Sequence, residues 1–180
     1  MENLISKLVQ FEKENKWKKA IQYLYIEWKQ NPMDIHRLIR VIGECWYVMV
    51  MWDSCIPVGT ASYEECEDIL QQAITFGDFH FCDSLDYLCL VGYIATLTPD
   101  LLVTNNPYEY VAIEQKGRRY LAKAIELQPQ NPVVTVIYSG FTNTLEKHQK
   151  LQEQYLHTLK DFPWDASAVS RYFYNILIPK

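Results

Sequence analysis

Residues 117–132 read GRRYLAKAIELQPQNP and place a small, a large apolar and a second small residue on one side of a predicted helix. These residues are Gly117, Leu121 and Ala124, and Pro129 follows them. Small residues let a neighbouring helix approach closely, and the large residue fills the space between the two helices. Proline ends a helix because it lacks an N–H donor and clashes with the preceding turn. The stretch therefore predicts a helix that packs closely on a neighbour and ends soon after residue 127.

Helical spacing of apolar residues recurs along the whole chain, and no segment requires a β-strand. The sequence predicts an all-α fold of about nine helices at approximately residues 2–14, 17–31, 34–52, 62–76, 84–97, 108–127, 133–145, 148–160 and 166–177. Residues 53–61 and 100–107 are predicted as two long loops. With 180 residues, 49% of them hydrophobic, the chain can bury one core, so we expect a single domain over residues 1–180.

Several local signals fix the predicted helix ends. Asp34 is a plausible N-cap, and Ser62 followed by Glu65 forms a capping box. Gly77 and Asp78 stand where a closing proline would be expected after the helix at 62–76. Two cysteines seven positions apart, Cys82 and Cys89, are interpreted as two buried small apolar residues rather than a redox pair.

The pattern resembles the tetratricopeptide repeat, in which about 34 residues form two antiparallel helices closed by a proline. The units that close at Pro32, Pro129 and Pro163 match best, and the last two prolines lie one period apart. Glu27 departs from the pattern, since a small residue is usual there. The resemblance implies an α-solenoid of stacked antiparallel helices. It also implies that the chain binds proteins or peptides rather than catalysing a reaction.

Sequence signatures of catalysis and of metal binding are absent. The chain has no glycine-rich phosphate loop, no Gly-x-Ser-x-Gly and no His-Glu-x-x-His. Five cysteines without a Cys-x-x-Cys pair predict neither a disulfide framework nor a zinc knuckle, and the spacing of Cys66, His80 and Cys82 predicts no metal site. We therefore expect no catalytic residue, no metal and no small-molecule cofactor. A small basic cluster is interpreted as a solvated helix face rather than a nucleic-acid site: Lys116, Arg118, Arg119 and Lys123.

The sequence predicts a cytoplasmic protein. Its longest apolar run, residues 45–52, is too short for a membrane span, which needs about 18 residues. The first residues, MENLISKLVQFEKENK, lack the apolar core of a secretory signal and are interpreted as part of the fold.

Charge is distributed unevenly along the chain. Residues 41–115 contain twelve Asp or Glu residues and no Lys or Arg, whereas residues 1–40 and 116–180 carry net charges of +3 and +4. An acidic surface on the central helices would attract a basic protein and repel nucleic acid. The alternative is that an acidic protein simply has an uneven charge distribution, and the sequence favours neither reading.

Aromatic residues on the first helix of each repeat would line a concave groove, where Trp and Tyr are good anchors for a partner. For Trp46 and Tyr47 the core is the competing location, because residues 45–52 are apolar nearly all round. The predicted partner-binding residues are Trp46, Tyr47, Asp53, Asp83, Asp86, Tyr93 and Asp100.

Three functional hypotheses follow from these features. The leading one is a non-enzymatic acidic protein, similar to the immunity proteins that neutralise bacterial toxins, with a basic toxin such as a nuclease as its partner. The second is a secretion chaperone or adaptor that holds a peptide in the concave groove. The third is a small-ligand-binding protein or enzyme with a pocket between the two long loops.

Overall fold

The computed structural model describes residues 2–52, 54–103, 109–162 and 164–179. These residues form nine α-helices and no β-strand, so the predicted all-α class is confirmed. The helices are α1 (Glu2–Lys13), α2 (Trp17–Gln30), α3 (Ile35–Val50), α4 (Tyr63–His80), α5 (Leu85–Leu97), α6 (Glu109–Leu127), α7 (Pro132–Thr142), α8 (Leu145–Lys160) and α9 (Ala168–Leu177). The predicted helix start at Tyr108 and the repeat-closing Pro163 lie outside the described residues.

Both predicted caps are confirmed. The Asp34 carboxylate accepts a hydrogen bond from the backbone N–H of His36 at 3.0 Å, at the start of α3. The Ser62 hydroxyl accepts one from the backbone N–H of Glu65 at 3.3 Å, at the start of α4. At α7, Asn131 accepts from two backbone N–H groups of the first turn. Each cap satisfies donors that the helix cannot pair internally, so short sequence signals fix these three starts.

The predicted end of α4 near residue 76 is wrong. The helix continues through Gly77 and Asp78 to His80, and the backbone N–H of Phe81 donates to the Gly77 carbonyl at 2.7 Å. A glycine inside a helix costs about 1 kcal/mol but does not stop it. Here Phe76 packs edge-on against the ring of Trp28, with the ring centroids 5.6 Å apart. Tertiary packing of this last turn therefore offsets the weak helix propensity of Gly77.

Three further boundaries differ from the sequence prediction. Helix α7 ends at Thr142, whereas the sequence predicts a helix over residues 133–145. Helix α8 begins at Leu145, whereas the sequence predicts a helix over residues 148–160. The loop predicted at residues 100–107 partly overlaps a short 3₁₀ helix, Pro99–Leu102, which buries Pro99 and Leu102. Residues 104–107 of that loop lie outside the described residues.

The chain divides into two compact units. The first contains Met1–Cys82 and Asp165–Ser170, and the second contains Asp83–Trp164 and Arg171–Lys180. Within the first unit α1 packs on α2, α2 on α3, and α3 on α4; within the second, α5 packs on α6, α6 on α7, and α7 on α8. Helices that follow one another in sequence are therefore neighbours inside each unit.

The core of the first unit is built around α3. Its predicted inward stripe is confirmed, because all five residues are at most 4% exposed: Leu38, Val41, Ile42, Cys45 and Met49. Trp28 of α2 and Leu70 and Ala73 of α4 are equally buried. Burial of a large apolar side chain contributes about 1.5–3 kcal/mol, so these helices are held mainly by this shared apolar interior.

In the second unit, α5 and α6 approach each other at two glycines. A Cβ atom on Gly117 would lie 2.7 Å from the backbone nitrogen of Thr96 and 2.9 Å from the carbonyl carbon of Ala95. A Cβ on Gly92 would lie 2.9 Å from Leu121 Cγ. The sequence expectation that Gly117 admits a neighbouring helix is confirmed, and Leu121 fills the space beside the crossing with 1% of its surface exposed.

The interpretation of Cys82 as a buried residue is wrong. Cys89 is buried on α5, whereas Cys82 is exposed. Cys82 lies in the link between α4 and α5, before α5 begins at Leu85. The spacing of two helical turns therefore does not apply, because the two cysteines do not share a helix.

Candidate protein-binding surface

In the first unit, α2 and α4 lie side by side. Three contacts join them: Gln22 Nε2 to Glu65 Oε1 at 3.0 Å, Tyr25 Oη to Gln72 Oε1 at 3.1 Å, and the rings of Trp28 and Phe76 at 5.6 Å. The contacts follow the same order along both helices, so the two helices run in the same direction. Their outward faces therefore form neighbouring strips of one surface.

The outward face of α4 is polar and acidic, and we call it the α4 outer strip. Helical periodicity places eight residues on it: Glu64, Glu67, Asp68, Gln71, Gln72, Thr75, Asp78 and Phe79. The opposite side of the helix is buried and includes Cys66, Leu70 and Ala73. Four of the eight residues are acidic and none is basic. At 1.5 Å per residue the strip is about 22 Å long.

Three carboxylates of this strip have no basic partner among the residues that the structure describes: Glu64, Glu67 and Asp68. Their neighbour Glu65 differs, because Lys18 lies 3.9 Å from its carboxylate. Glu64 lies in the first turn of α4, where the helix dipole favours a negative charge. Asp68 lies beyond that turn, so the dipole gives its charge little stabilisation. This part of the strip is thus a negative surface that internal ion pairs leave uncompensated.

A large apolar side chain ends the α4 outer strip. Phe79 is 82% exposed, and its ring forms a T-shaped contact with the ring of His80, with centroids 4.8 Å apart. Covering such an exposed aromatic ring with a partner removes apolar surface from water, which favours binding. Aromatic side chains are also frequent anchors in protein interfaces. Sequence reasoning missed Phe79, since it placed the end of α4 before this residue.

The structure contradicts the predicted groove positions of Trp46 and Tyr93. Trp46 has no exposed surface, because it lies among the inward residues of α3. Tyr93 is 6% exposed, donates or accepts a hydrogen bond with the Tyr172 hydroxyl at 2.8 Å, and packs against Phe173. Tyr47 is half-buried and stacks on Trp17 at 5.9 Å. Trp46 and Tyr93 are therefore core residues of their units, and neither offers a surface to a partner.

The predicted acidic contact residues of the second unit are exposed, but one is neutralised locally. Asp83, Asp86 and Asp100 all lie at the surface. Asp83 forms an ion pair with Lys123 of α6, which comes from outside the segment without basic residues. Asp53 lies outside the described residues. A basic residue from outside residues 41–115 therefore neutralises Asp83, and Arg118 does the same for Glu114 at 2.7 Å.

Glu44 is a second correction to the predicted acidic surface. It is 1% exposed, and its Oε1 atom has no hydrogen-bond partner among the described residues. Burial raises the pKa of Glu44 well above its usual range, and the nearby Glu12 carboxylate raises it further. Glu44 therefore favours its neutral form in the folded protein and adds nothing to the surface charge.

Glu12 belongs to a buried polar cluster that holds residues 165–168 inside the first unit. Its Oε2 atom accepts a hydrogen bond from the backbone N–H of Ala168 at 2.8 Å. Arg40 pairs with Asp165 and donates to the Ser167 hydroxyl at 3.1 Å. Burial opposes ionisation of Asp165, but its bonds with Ser167 and Arg40 leave its pKa below the usual range. These polar groups form hydrogen bonds and an ion pair with one another, so we interpret the cluster as structural.

A serine–histidine pair in the second unit was not anticipated from the sequence. Ser139 Oγ lies 2.7 Å from His148 Nδ1 and also donates to the Val136 carbonyl at 2.8 Å. Ser139 is 1% exposed, so a substrate cannot reach its hydroxyl. Burial lowers the pKa of His148, which keeps the ring neutral near pH 7. The pair ties α7 to α8 and lacks the access that nucleophilic catalysis needs.

Within the described residues, no three His, Cys, Asp or Glu side chains come close enough together to hold a metal ion. None of the helices in those residues combines the length and the apolar character that a membrane crossing requires. Comparisons with protein-family models, with curated proteins and with solved structures found no match to this chain.

Proposed function

We propose that this chain is a non-enzymatic protein-binding module, built as a tetratricopeptide-like α-solenoid, that binds a basic protein through the α4 outer strip. Support for the architecture comes from the packing of sequence neighbours inside each unit and from the close crossing of α5 and α6 at Gly92 and Gly117. Both features are what stacked helical repeats require.

The charge of the α4 outer strip favours a basic partner. Glu64, Glu67 and Asp68 lie on a single helix face with no basic side chain beside them in the described part of the chain, and Phe79 ends the same face with 82% exposure. Unpaired carboxylates steer a positively charged partner toward the surface and raise the association rate. The exposed ring then supplies apolar contact area once the two surfaces meet.

More specifically, we propose that this chain is an immunity protein of the cytoplasm that binds and neutralises a basic toxin. A nuclease is a suitable candidate for this toxin. A carboxylate strip can occupy a cationic surface that otherwise binds nucleic-acid phosphates. The affinity would then come from Phe79 and its surroundings, whereas the charges would set the encounter rate and the specificity.

The reading frame directly upstream of this gene provides the test. Its product is expressed alone and together with this chain, and growth and copurification are measured. The proposal predicts a basic product that arrests growth, restored growth on coexpression, and a complex that survives purification at low salt. An upstream product that is acidic, or growth arrest that this chain does not relieve, would contradict the toxin-neutralising function.

Charge-reversal variants locate the surface. Glu67→Lys with Asp68→Lys should abolish growth rescue, because the strip then has no net negative charge to attract a basic partner. Glu126→Lys with Glu153→Lys changes the net charge by the same amount on exposed residues of the second unit and should rescue like the unmodified chain. Equal rescue by both double variants would remove the α4 outer strip from the interface.

A further inference from the structure

The strip next to the acidic one has the opposite charge. Helical periodicity places six exposed residues on the outward face of α2, which we call the α2 outer strip: Lys18, Lys19, Gln22, Ile26, Lys29 and Gln30. Three of them are basic and none is acidic. Ile26 lies in the middle with 53% of its surface exposed. The first unit thus presents a basic strip and an acidic strip side by side, each with an exposed apolar residue.

The two strips border each other directly. Gln22 of the α2 outer strip bonds to Glu65, and Gln72 of the α4 outer strip bonds to Tyr25. The Nζ atom of Lys18 lies 3.9 Å from a carboxylate oxygen of Glu65, so part of its charge is neutralised within the chain. The Nζ atom of Lys29 lies 5.2 Å from the Trp28 ring centroid, which holds this ammonium group at the surface. Lys19 and Lys29 are the two basic residues of the α2 outer strip that form no ion pair among the described residues.

We infer that this surface docks onto a second copy of the same chain, with the α2 outer strip of each copy on the α4 outer strip of the other. A surface that carries adjacent strips of opposite charge is complementary to itself when it is turned over about a line between the strips. Such an isologous contact closes with two copies and leaves no unpaired strip.

The charges of the two strips decide which twofold axis is possible. An axis parallel to α2 and α4 places α2 over α4 of the other copy. An axis across the helices within the same plane places α2 over α2 and acid over acid, which repels. Only the first arrangement brings opposite charges together, so electrostatics selects one dimer.

Contacts between the helices also set the register of the charges. Gln22 contacts Glu65 near the start of α4, and Trp28 contacts Phe76 near its end. Lys19 therefore lies toward the start of α4 and Lys29 toward its last turns. An axis parallel to the helices preserves this order, so Lys19 faces the first turns of α4 of the other copy, where Glu64, Glu67 and Asp68 lie.

The size of the surface predicts a weak dimer. Two helices side by side give a face about 20 Å long and about 20 Å wide, or about 400–500 Å² on each copy. The total of about 800–1,000 Å² is at the low end for specific interfaces. Self-association should therefore be weak, and it should weaken further as salt screens the charges.

Dimer formation does not depend on the proposed function, but one consequence of it does. If the α4 outer strip binds a basic protein, the α2 outer strip of a second copy covers the same surface and competes with that partner. The chain would then form dimers when it is in excess and release the strip when a basic partner with higher affinity is present. Binding of that partner and self-association would be mutually exclusive.

Analytical ultracentrifugation of the purified chain tests the inference without any partner. Sedimentation is measured from about 5 μM to about 500 μM protein, at low and at high salt. We expect a monomer–dimer equilibrium at low salt that weakens at least tenfold at high salt. A monomer at every concentration at low salt, or a dimer that salt does not affect, would overturn the inference.

Two charge-reversal variants provide a sharper test. Lys19→Glu with Lys29→Glu gives both strips a net negative charge, and Glu64→Lys with Glu67→Lys and Asp68→Lys gives both strips a net positive charge. Each variant alone should be monomeric. A mixture of the two should dimerise, because each strip then meets a strip of opposite charge on the other copy. Restored association also shows that both variants are folded, and circular dichroism checks each one separately.

A control pair carries the same charge change elsewhere. Lys147→Glu with Lys160→Glu alters two exposed residues of α8 and should dimerise like the unmodified chain. If the α2 variant still dimerises, or if the mixture stays monomeric although the unmodified chain dimerises, the assigned strips are wrong. The α2 variant should also keep its affinity for a basic partner, so loss of the dimer and loss of partner binding are separate results.

Discussion

Replacement of Gly117 by alanine should destabilise the protein, although alanine is the better helix former. The added Cβ would lie 2.5 Å from Thr96 Oγ1, 2.7 Å from the Thr96 backbone nitrogen and 2.9 Å from the Ala95 carbonyl carbon. Two of these atoms belong to the α5 backbone and cannot move aside by a change of rotamer, so α5 and α6 must separate. Overpacking of this kind costs about 1–3 kcal/mol, and the backbone contacts place Gly117→Ala near the upper end.

Alanine recovers about 1 kcal/mol of helix propensity, which leaves a net loss of about 2 kcal/mol. For a chain of 180 residues this corresponds to a decrease in Tm of about 4–8 °C. The matched control is Gly140→Ala on α7, where the nearest atom to the new Cβ is His148 Cε1 at 3.5 Å. That contact is ordinary, so Gly140→Ala should stabilise by about 0.5–1 kcal/mol.

Thermal and guanidinium unfolding of the two variants, followed by circular dichroism, measures both effects. We expect the same substitution to lower the stability at position 117 and to raise it at position 140. A Gly117→Ala variant as stable as the unmodified chain, or stabilised like Gly140→Ala, would show that α5 and α6 do not cross as closely as the structure has it.

Three further predictions concern charged and titratable groups. The pKa of Glu44 is higher in the folded state than in the unfolded state, so its stabilising contribution is present below the unfolded pKa and is lost as the pH rises. Glu44→Gln should therefore raise Tm at pH 8 and leave it nearly unchanged at pH 4. His148 has a folded-state pKa below its unfolded value, so its contribution is present above the unfolded pKa and is lost as the pH falls; His148→Asn, which can keep a bond to Ser139, should flatten the loss of Tm between about pH 6.5 and pH 5. Arg40→Met should destabilise by about 1–3 kcal/mol because it leaves the half-buried Asp165 carboxylate without its cation, and adding Asp165→Asn should recover part of that loss in a double-mutant cycle measured by urea unfolding.

Local sequence signals predicted the elements well, because they act over a few residues. The caps at Asp34 and Ser62 satisfy donors one turn away, and the stripe on α3 follows from helical periodicity alone. Gly117 was recognisable because a small residue before Leu121 has a clear packing role. In each case the residues that decide the structure are close together in the sequence.

Predictions that depended on contacts between distant residues were less successful. Gly77 did not end α4, since packing of Phe76 on Trp28 supports the last turns. The repeat register placed Trp46 and Tyr93 on a groove, but α5 and the second half of α3 are apolar on nearly every side, and most of their residues are buried. Periodicity cannot assign an outward face to such a helix, because every face has apolar residues.

The acidic surface was predicted from a count along the chain, and the structure changes which residues belong to it. Asp83 pairs with Lys123, forty positions away in the sequence, and Glu44 is buried. The α4 outer strip could have been found from the sequence, because Glu64, Glu67 and Asp68 share a helical face. Phe79 could not, since its place on that face depends on the continuation of α4 beyond Gly77.

The rate of association with the upstream product, measured by stopped flow from about 20 mM to about 300 mM salt, shows whether the α4 outer strip meets the partner. We predict that Glu67→Lys with Asp68→Lys slows association at least tenfold at low salt and flattens its salt dependence, whereas Glu126→Lys with Glu153→Lys leaves both close to those of the unmodified chain. Association rates that decrease equally in both double variants would mean that only net charge matters. In that case the α4 outer strip would not be the surface that meets the partner.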